Sequence, residues 1–205
     1  MSTKAIPKPQ YSIATKHWPS APCPSTPQWR KRCVVTGKSN SVIADLDEAV
    51  SWFEKSRLRY THGRYSLFLA EGFLRRGDRI AARPLIDALL ETSRALGYPH
   101  FEGAACWLMG ECLAPEAPAS AEPYVETAME ILERIGARND LARAMVTCAA
   151  LRQVAGDLAT ARELLVQAGA IFHELGTLDE PARVEAARAA LDRGAAIPFL
   201  GSRLR

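Results

Sequence analysis

The chain has 205 residues, of which 48% are hydrophobic, 24% charged and 7% aromatic. This composition excludes extensive disorder, a collagen-like chain and a small disulfide scaffold. No uncharged apolar run approaches the roughly 18–20 residues that span a bilayer, so we expect one or two globular domains and no membrane contact.

The first 40 residues differ in composition from the rest of the chain. Residues 1–44 contain no Asp or Glu and carry seven Lys or Arg residues, whereas residues 45–205 have a net charge of −4. Six of the 13 prolines fall within residues 1–27. Because proline removes main-chain donors and fixes φ, we expect residues 1–40 to form a basic, disordered arm. Trp18 and Trp29 lie among the cations, a mixture suited to weak nucleic-acid contact, which is one alternative function for the chain.

From about residue 43 the chain shows amphipathic helical patterns that are separated by short Gly, Pro or Asp joints. Three of these patterns end in an apolar residue followed by glycine, at spacings of 39 and 40 residues: Leu96-Gly97, Ile135-Gly136 and Leu175-Gly176. An alanine in each preceding segment recurs at the same spacings: Ala82, Ala121 and Ala161. Since independent landmarks share one period, the sequence predicts a repeat of two-helix units.

The predicted architecture is an all-α solenoid of antiparallel helix hairpins over residues 43–193. The first helix of each full unit, helix A, is expected at 63–76, 100–113 and 139–154, and the second, helix B, at 79–96, 120–135 and 158–175. At two joints glycine suits a left-handed helix end and the next residue, Asp78 or Asp157, suits the N-cap of helix B. In the middle unit we expect Ser120 to be that cap.

The predicted array has incomplete units at both ends. Residues 45–57 resemble a helix B without its helix A, and residues 180–193 match a helix A. In the tail, residues 194–205, Ile197, Phe199 and Leu200 either fold back as a cap or dock on another protein. Open ends of a solenoid indicate either a homo-oligomer or a fragment of a larger regulator, and the sequence leaves both open.

The spacing of small residues resembles the tetratricopeptide repeat. A small residue in helix A is followed by glycine seven positions on and alanine five further, as in Ala70, Gly77 and Ala82 and again in Ala149, Gly156 and Ala161. The standard unit has about 34 residues, so this period is a longer variant, similar to repeats in large bacterial regulators and cyclase-linked signalling proteins. The resemblance implies a noncatalytic scaffold that binds a protein, peptide or helix in bacterial signalling or transcriptional regulation.

The resemblance also implies where a partner is bound. In that family helix A lines the concave groove, and the matching positions of this chain place arginines, carboxylates, one amide and one indole on the inner face. Arginine binds carboxylates in a bidentate fork, and an indole is a typical anchor of an interface. The expected groove residues are Arg64, Glu71, Arg75, Trp107, Glu111, Arg143, Gln153 and Arg183.

The residue types that carry out catalysis or bind metals show no recognisable arrangement. The five cysteines form no CxxC pair and lack the four-ligand spacing of zinc sites, and no GxSxG or GxGxxG motif occurs. Cys106, Cys112 and Cys148 lie on helix A patterns, where a free cysteine usually acts as a small buried hydrophobe. We therefore expect no enzyme, no cofactor and no metal site. The absence of a secretory signal core and the odd cysteine number favour a reducing cytoplasm.

Overall fold

The computed structural model describes residues 39–201, with side chains from Val42 onward. This part of the chain consists of helices joined by short turns and contains no strand. The eight helices are α1 (Ser39–Lys55), α2 (Arg59–Arg76), α3 (Arg79–Leu96), α4 (Pro99–Leu113), α5 (Pro118–Arg134), α6 (Arg138–Val154), α7 (Leu158–Leu175) and α8 (Glu180–Asp192).

The helix joints follow the predicted chemistry at two of three positions. Gly77 and Gly156 adopt left-handed φ values of 83° and 85°. The carboxylates of Asp78 and Asp157 each accept a main-chain N–H of the next helix, from Ala81 and Thr160, both at 3.1 Å. These bonds satisfy N–H groups that a helix start otherwise leaves unpaired.

The middle joint differs from the prediction. Helix α5 begins at Pro118, and Ala117 occupies the N-cap position without a side-chain hydrogen bond. The prediction that Ser120 caps this helix was therefore wrong. Proline is favoured at the first helical position because its φ is already helical and its missing N–H has no helical partner. Pro118 thus begins the helix before Ser120 is reached.

Contacts between helices show a stacked array of hairpins. Each helix packs on its neighbour in the sequence, and the helices α2, α4, α6 and α8 also contact the next member of that same set. The intervening helices α3, α5 and α7 show no comparable contacts with one another. The all-α solenoid predicted from the repeat is confirmed, with α2, α4, α6 and α8 forming one continuous inner row.

Small residues allow this close stacking. Ala70 and Ala149 in the inner row, like Ala82, Ala121 and Ala161 in helix B, are fully buried. Gly110 takes the equivalent position in α4, where a Cβ atom would overlap the Cγ2 of Val125 in α5. The glycine is therefore required for the approach of α4 and α5, because close-packed interiors leave no room for an added methyl group.

The predicted helix ends agree with the structure to within a few residues, apart from two starts. Helix α1 begins at Ser39, inside the predicted arm, and α2 begins at Arg59 instead of residue 63. The rest of the arm, with Trp18, Trp29, Cys23 and Cys33, lies outside the described residues. Within residues 39–201, no helix has both the length and the apolar character needed to cross a membrane.

Candidate functional site

The inner row presents charged residues at two repeating positions. The first, here called the arginine position, holds Arg64, Ala104, Arg143 and Arg183 in α2, α4, α6 and α8. The second, here called the glutamate position, lies two turns further along the first three helices and holds Glu71, Glu111 and Ala150. Both sets follow the spacing of 39 or 40 residues, so these side chains emerge from the same face of successive helices.

Arginines of this set form ion pairs with glutamates two repeats earlier. Arg143 of α6 donates to Glu71 of α2, and Arg183 of α8 donates to Glu111 of α4 at 3.3 Å. Each pair spans 72 residues and bridges an intervening helix. A flat row would hold next-but-one helices about 16–20 Å apart, beyond the joint reach of these side chains. The row is therefore curved, and this face is concave.

Arg143 is the centre of a buried charge network. Its guanidinium carbon lies 4.0 Å from the centroid of the Trp107 ring, and further carboxylates, Glu180 and Asp140, lie within 3.5 and 3.7 Å of its nitrogens. Burial disfavours the charge, but Glu71, Glu180 and Asp140 outweigh that effect, so the pKa of Arg143 is raised above its usual value. The side chain is therefore charged, buried and paired within the fold.

Trp107 and Glu111 are linked through a threonine. The indole Nε1 of Trp107 donates to Thr147 Oγ1 at 2.8 Å, and the same hydroxyl donates to Glu111 Oε1 at 2.6 Å. Glu111 is completely buried. A carboxylate without water needs several donors, and Thr147 and Arg183 together serve only one of its oxygens.

The other oxygen of Glu111 binds the main chain of a returning segment. Residues 195–201, here called the strap, leave the end of α8 and run back across the carboxyl ends of α6, α4 and α2. Leu200 donates its N–H to Glu111 Oε2 at 2.7 Å. Gln153 at the end of α6 donates from Nε2 to the Ala195 carbonyl at 2.7 Å, and its Oε1 accepts the N–H of Ile197 at 2.8 Å.

The strap also buries apolar side chains. Ile197 packs in the cluster of α6, α7 and α8, and Leu200 packs in the cluster of α2 to α6. Phe199, which is half-buried, contacts the cluster that includes Cys148 and Leu151. Of the two open alternatives for these three residues, the structure shows that they fold back on the solenoid.

A cavity of about 190 Å³ opens between α2, α4 and α6, toward the amino ends of these helices and thus opposite the strap. Its walls include aromatic rings from Tyr60, Phe68, Phe101 and Trp107, with charged groups at Arg64, Glu71, Asp140 and Arg143. Tyr60 is 57% exposed and packs against Phe101 with ring centroids 4.9 Å apart. The cavity therefore combines apolar walls with a few polar groups, as ligand sites commonly do.

A histidine–aspartate pair lies at the same cavity. His100 Nε2 is 3.0 Å from Asp140 Oδ2. The hydrogen bond to Asp140 raises the pKa of His100, against the effect of its partial burial. Burial raises the pKa of Asp140, but the hydrogen bond with His100 and the charge of Arg143 outweigh it and lower that pKa overall. Both residues thus favour their charged forms.

Arg64 differs from the other arginines of its set. It is exposed at the cavity, where its guanidinium carbon lies 5.8 Å from the centroid of the Phe68 ring. Its charge also acts on His100, whose pKa it lowers slightly against the larger effect of Asp140. Between residues 39 and 201 no carboxylate forms an ion pair with it, and residues 1–44 contain no Asp or Glu. Its charge therefore faces an open site, whereas Arg143 and Arg183 are paired within the fold.

A larger depression of about 580 Å³ lies where α1, α2 and α3 meet, away from this network. It is open, and its walls mix cations such as Arg57 and Arg59 with anions such as Glu54 and Glu91. No polar groups of one kind converge there, so we regard the inner face as the better candidate site.

The structure brings most of the predicted groove residues together. Glu71, Trp107, Glu111, Arg143 and Arg183 form the connected network, Gln153 holds the strap, Arg75 donates to Glu71 at 2.7 Å, and Arg64 lines the cavity. Four of them, Glu71, Trp107, Glu111 and Arg143, are buried and bonded within the fold. That these residues contact a partner stays a prediction, and Arg64 is the one among them whose charge is exposed at the cavity.

Several participants were missed by the sequence prediction. Tyr60 lies before the predicted start of α2, and Thr147, Asp140 and Glu180 are polar residues on helix A segments that gave no separate signal. The spacing of 40 residues between His100 and Asp140, and between Trp107 and Thr147, was available as a signal. Equivalent positions on stacked helices are neighbours, so polar pairs one period apart predict contacts.

The described cysteines are buried side chains of the helix cores. Burial raises the pKa of the Cys106 thiol to about 11, and it also raises the pKa values of Cys112 and Cys148. Thiols of this kind are inert because the thiolate is the reactive form. In the part of the chain covered by the structure, no three His, Cys, Asp or Glu side chains are grouped as metal ligands.

Comparisons with known proteins do not assign the chain to a family. The chain matches no family model. A comparison with curated proteins likewise finds no match.

Proposed function

We propose that the chain is a noncatalytic, tetratricopeptide-like scaffold whose inner face binds a peptide segment of a partner protein, in bacterial signalling or transcriptional regulation. The contact that selects the partner is a carboxylate bound by Arg64. The repeat of helix hairpins and the concave inner face support a binding role, since such surfaces are what stacked hairpins provide.

The observation that carries this proposal is the exposed charge of Arg64. Arg143 and Arg183 occupy the same position of the repeat, and each binds a carboxylate that reaches it from two repeats away. Arg64 has the same placement without such a carboxylate. A partner's Asp, Glu or terminal carboxylate is the group that completes the pattern, because guanidinium and carboxylate match in charge and planar geometry.

The cavity beside Arg64 supplies the second contact. Its aromatic walls favour an apolar side chain, and a volume of about 190 Å³ suits one such side chain rather than a whole cofactor. We therefore expect the partner peptide to carry an acidic group adjacent to an apolar residue. The chain's own strap already crosses the same row of helices as a non-helical segment, which supports an unfolded peptide as the ligand.

The experiment starts from a displayed library of random peptides selected on the purified chain. Selected peptides are then measured against wild type and against Arg64→Ala. We expect enrichment of an acid next to an apolar residue and a loss of affinity of at least about tenfold in the variant, since removing one charge-assisted contact costs about that much. Binding should also weaken with added salt.

The matched control is Arg134→Ala, which removes an exposed arginine of helix α5 from outside the inner row. This variant should bind the selected peptides as wild type does. Equal affinity of wild type and Arg64→Ala for every selected peptide would contradict the proposal. So would a library that yields no peptide at all.

A further inference from the structure

The strap is bound as a peptide ligand is bound. Apart from the Ala195 N–H, which bonds to the Ala190 carbonyl where α8 ends, its short hydrogen bonds to the helices connect a side chain, Gln153 or Glu111, to main-chain groups of the strap. Main-chain groups are the same in every peptide, so these bonds accept any segment that adopts the same conformation. The preference of this site for one peptide sequence over another then depends on the strap side chains that are buried.

The strap is a non-helical segment that is held at both ends. At its start the Ala195 carbonyl and the Ile197 N–H bind Gln153 at the end of α6. At its end Gly201 lies against Leu74 and Gly77 at the end of α2. A segment that binds in the same way must therefore reach from α6 to α2.

Two apolar side chains and one glycine define its sequence. Ile197 and Leu200 are 3% and 5% exposed, whereas Ala195 and Ala196 face solvent. Gly201 has a left-handed φ of 68°, and a Cβ there would overlap the Leu74 carbonyl and lie 2.7 Å from the Gly77 nitrogen. The strap thus displays the pattern apolar–Pro–x–Leu–Gly, read from Ile197 to Gly201.

The seat of the strap needs an occupant with a free N–H. Glu111 is completely buried, and one of its oxygens is bound by the Leu200 amide. If the strap leaves, that buried oxygen loses its partner, which is unfavourable, and the half-buried Gln153 loses two hydrogen bonds. A second peptide with the same pattern restores all of these bonds.

We propose that the strap is an intramolecular ligand, and that a partner peptide with the pattern apolar–x–x–Leu–Gly displaces it and binds in its seat. The proposal deepens the proposed function by naming a second contact on the same face. The strap then competes with the partner peptide for the same site. The measured affinity for the partner is therefore lower, because the strap already occupies this site in part of the molecules.

The test uses a fluorescein-labelled peptide of residues 194–202, GAAIPFLGS, with the full chain in its wild-type form and as two adjacent variants. Ile197→Asp places a charge on a buried side chain of the strap and releases it, whereas Ala196→Asp adds the same charge where the strap faces solvent. We expect Ile197→Asp to bind the peptide at least about tenfold more tightly than wild type and Ala196→Asp. A peptide carrying Asp in place of both apolar residues should not bind.

Several results overturn the proposal. One is a folded, helical Ile197→Asp variant that does not bind the labelled peptide. Another is a wild-type chain that forms dimers by exchanging straps, because the occupant is then a second copy. If Ile197→Asp fails to fold, hydrogen exchange in wild type decides. Amides of Ile197 and Leu200 that exchange at least about 100-fold faster than those of α4 support a displaceable strap, and equal protection makes it a structural cap.

Failure of the strap displacement and failure of the proposed function give different experimental results. Binding that depends on Arg64 but not on release of the strap overturns only the displacement. Selected acidic peptides that bind without any dependence on Arg64, while the strap peptide still binds Ile197→Asp, contradict the proposed function alone.

Discussion

Two regions of the inner face use the same pair of residues in different ways. Between α2 and α6 the pair Glu71–Arg143 is buried, and Arg143 is surrounded by further carboxylates and the Trp107 ring. One repeat later, between α4 and α8, Arg183 is partly exposed and lies 3.3 Å from Glu111, whose second oxygen binds the strap. The same two positions of the repeat thus form a buried ion pair in one region, and in the other they bind the strap through the glutamate.

The difference shows what determines the use of a repeated position. Glu71 Oε1 accepts hydrogen bonds from two arginines, Arg143 and Arg75. Pro115 takes the place of Arg75 one repeat later, so Glu111 lacks this arginine, and its Oε2 accepts the main-chain N–H of Leu200 instead. In a solenoid, a missing side chain in one repeat can therefore leave a binding site for a non-helical segment.

The largest effect is expected for Arg143→Met, which tests whether the buried ion pairs of the first region stabilise the fold. Removing this cation leaves Glu71, Asp140 and Glu180 as a group of like charges in the interior, and breaking a buried pair typically costs about 3–5 kcal/mol. We expect the free energy of unfolding, measured with urea, to fall by that amount. The control Arg162→Met removes an exposed partner of Asp192 and should cost less than about 1 kcal/mol. A similar small loss for Arg143→Met would contradict the description of the first region as closed.

Thr147→Val tests the link between the two regions. The change keeps the shape of the side chain but leaves the indole N–H of Trp107 without its acceptor and Glu111 without one donor. A buried polar group without its partner costs about 1–3 kcal/mol, so urea denaturation should show a loss in that range. In addition, the amide of Leu200 should exchange faster with solvent, because Glu111 is less firmly held. An unchanged stability would show that the two regions are independent.

The smallest expected effect concerns the edge of the first region. The folded pKa of His100 is raised above its unfolded value by Asp140. The stabilisation is therefore fully present below the unfolded pKa of about 6.5 and is lost as pH rises through the folded pKa. Since the His100 side chain is 51% exposed, solvent screening limits it to less than about 1 kcal/mol. His100→Gln should destabilise the chain more at pH 5.5 than at pH 9, and an equal loss at both pH values would contradict the pairing.

Local signals allowed most of the fold to be predicted from the sequence. The left-handed glycines, the aspartate caps and the buried alanines act within one turn or one hairpin, so their spacing alone located the hairpins. The start of α5 was missed because two competing signals, Pro118 and Ser120, lie two residues apart. The groove residues were predicted from the resemblance to the tetratricopeptide repeat, and in the structure most of them lie together on the inner row of helices.

The use of each groove residue was not predictable in the same way. The pairing of Glu71 with Arg143 depends on how strongly the row of helices curves, which is a property of the whole stack. The position of the strap depends on Gln153 and Glu111, which lie 42 and 89 residues from the strap residues that they bind. Such long-range contacts leave no local pattern around Ile197 or Leu200.

An exchange of charges between Arg64 and its ligand tests the central claim most directly. The measurement is the affinity of a selected acidic peptide, and of the same peptide with Lys in place of the acid, for wild type and for Arg64→Glu. The account predicts that the acidic peptide binds only wild type and that the lysine peptide regains binding with Arg64→Glu. Binding of the acidic peptide to both chains with equal affinity would contradict it.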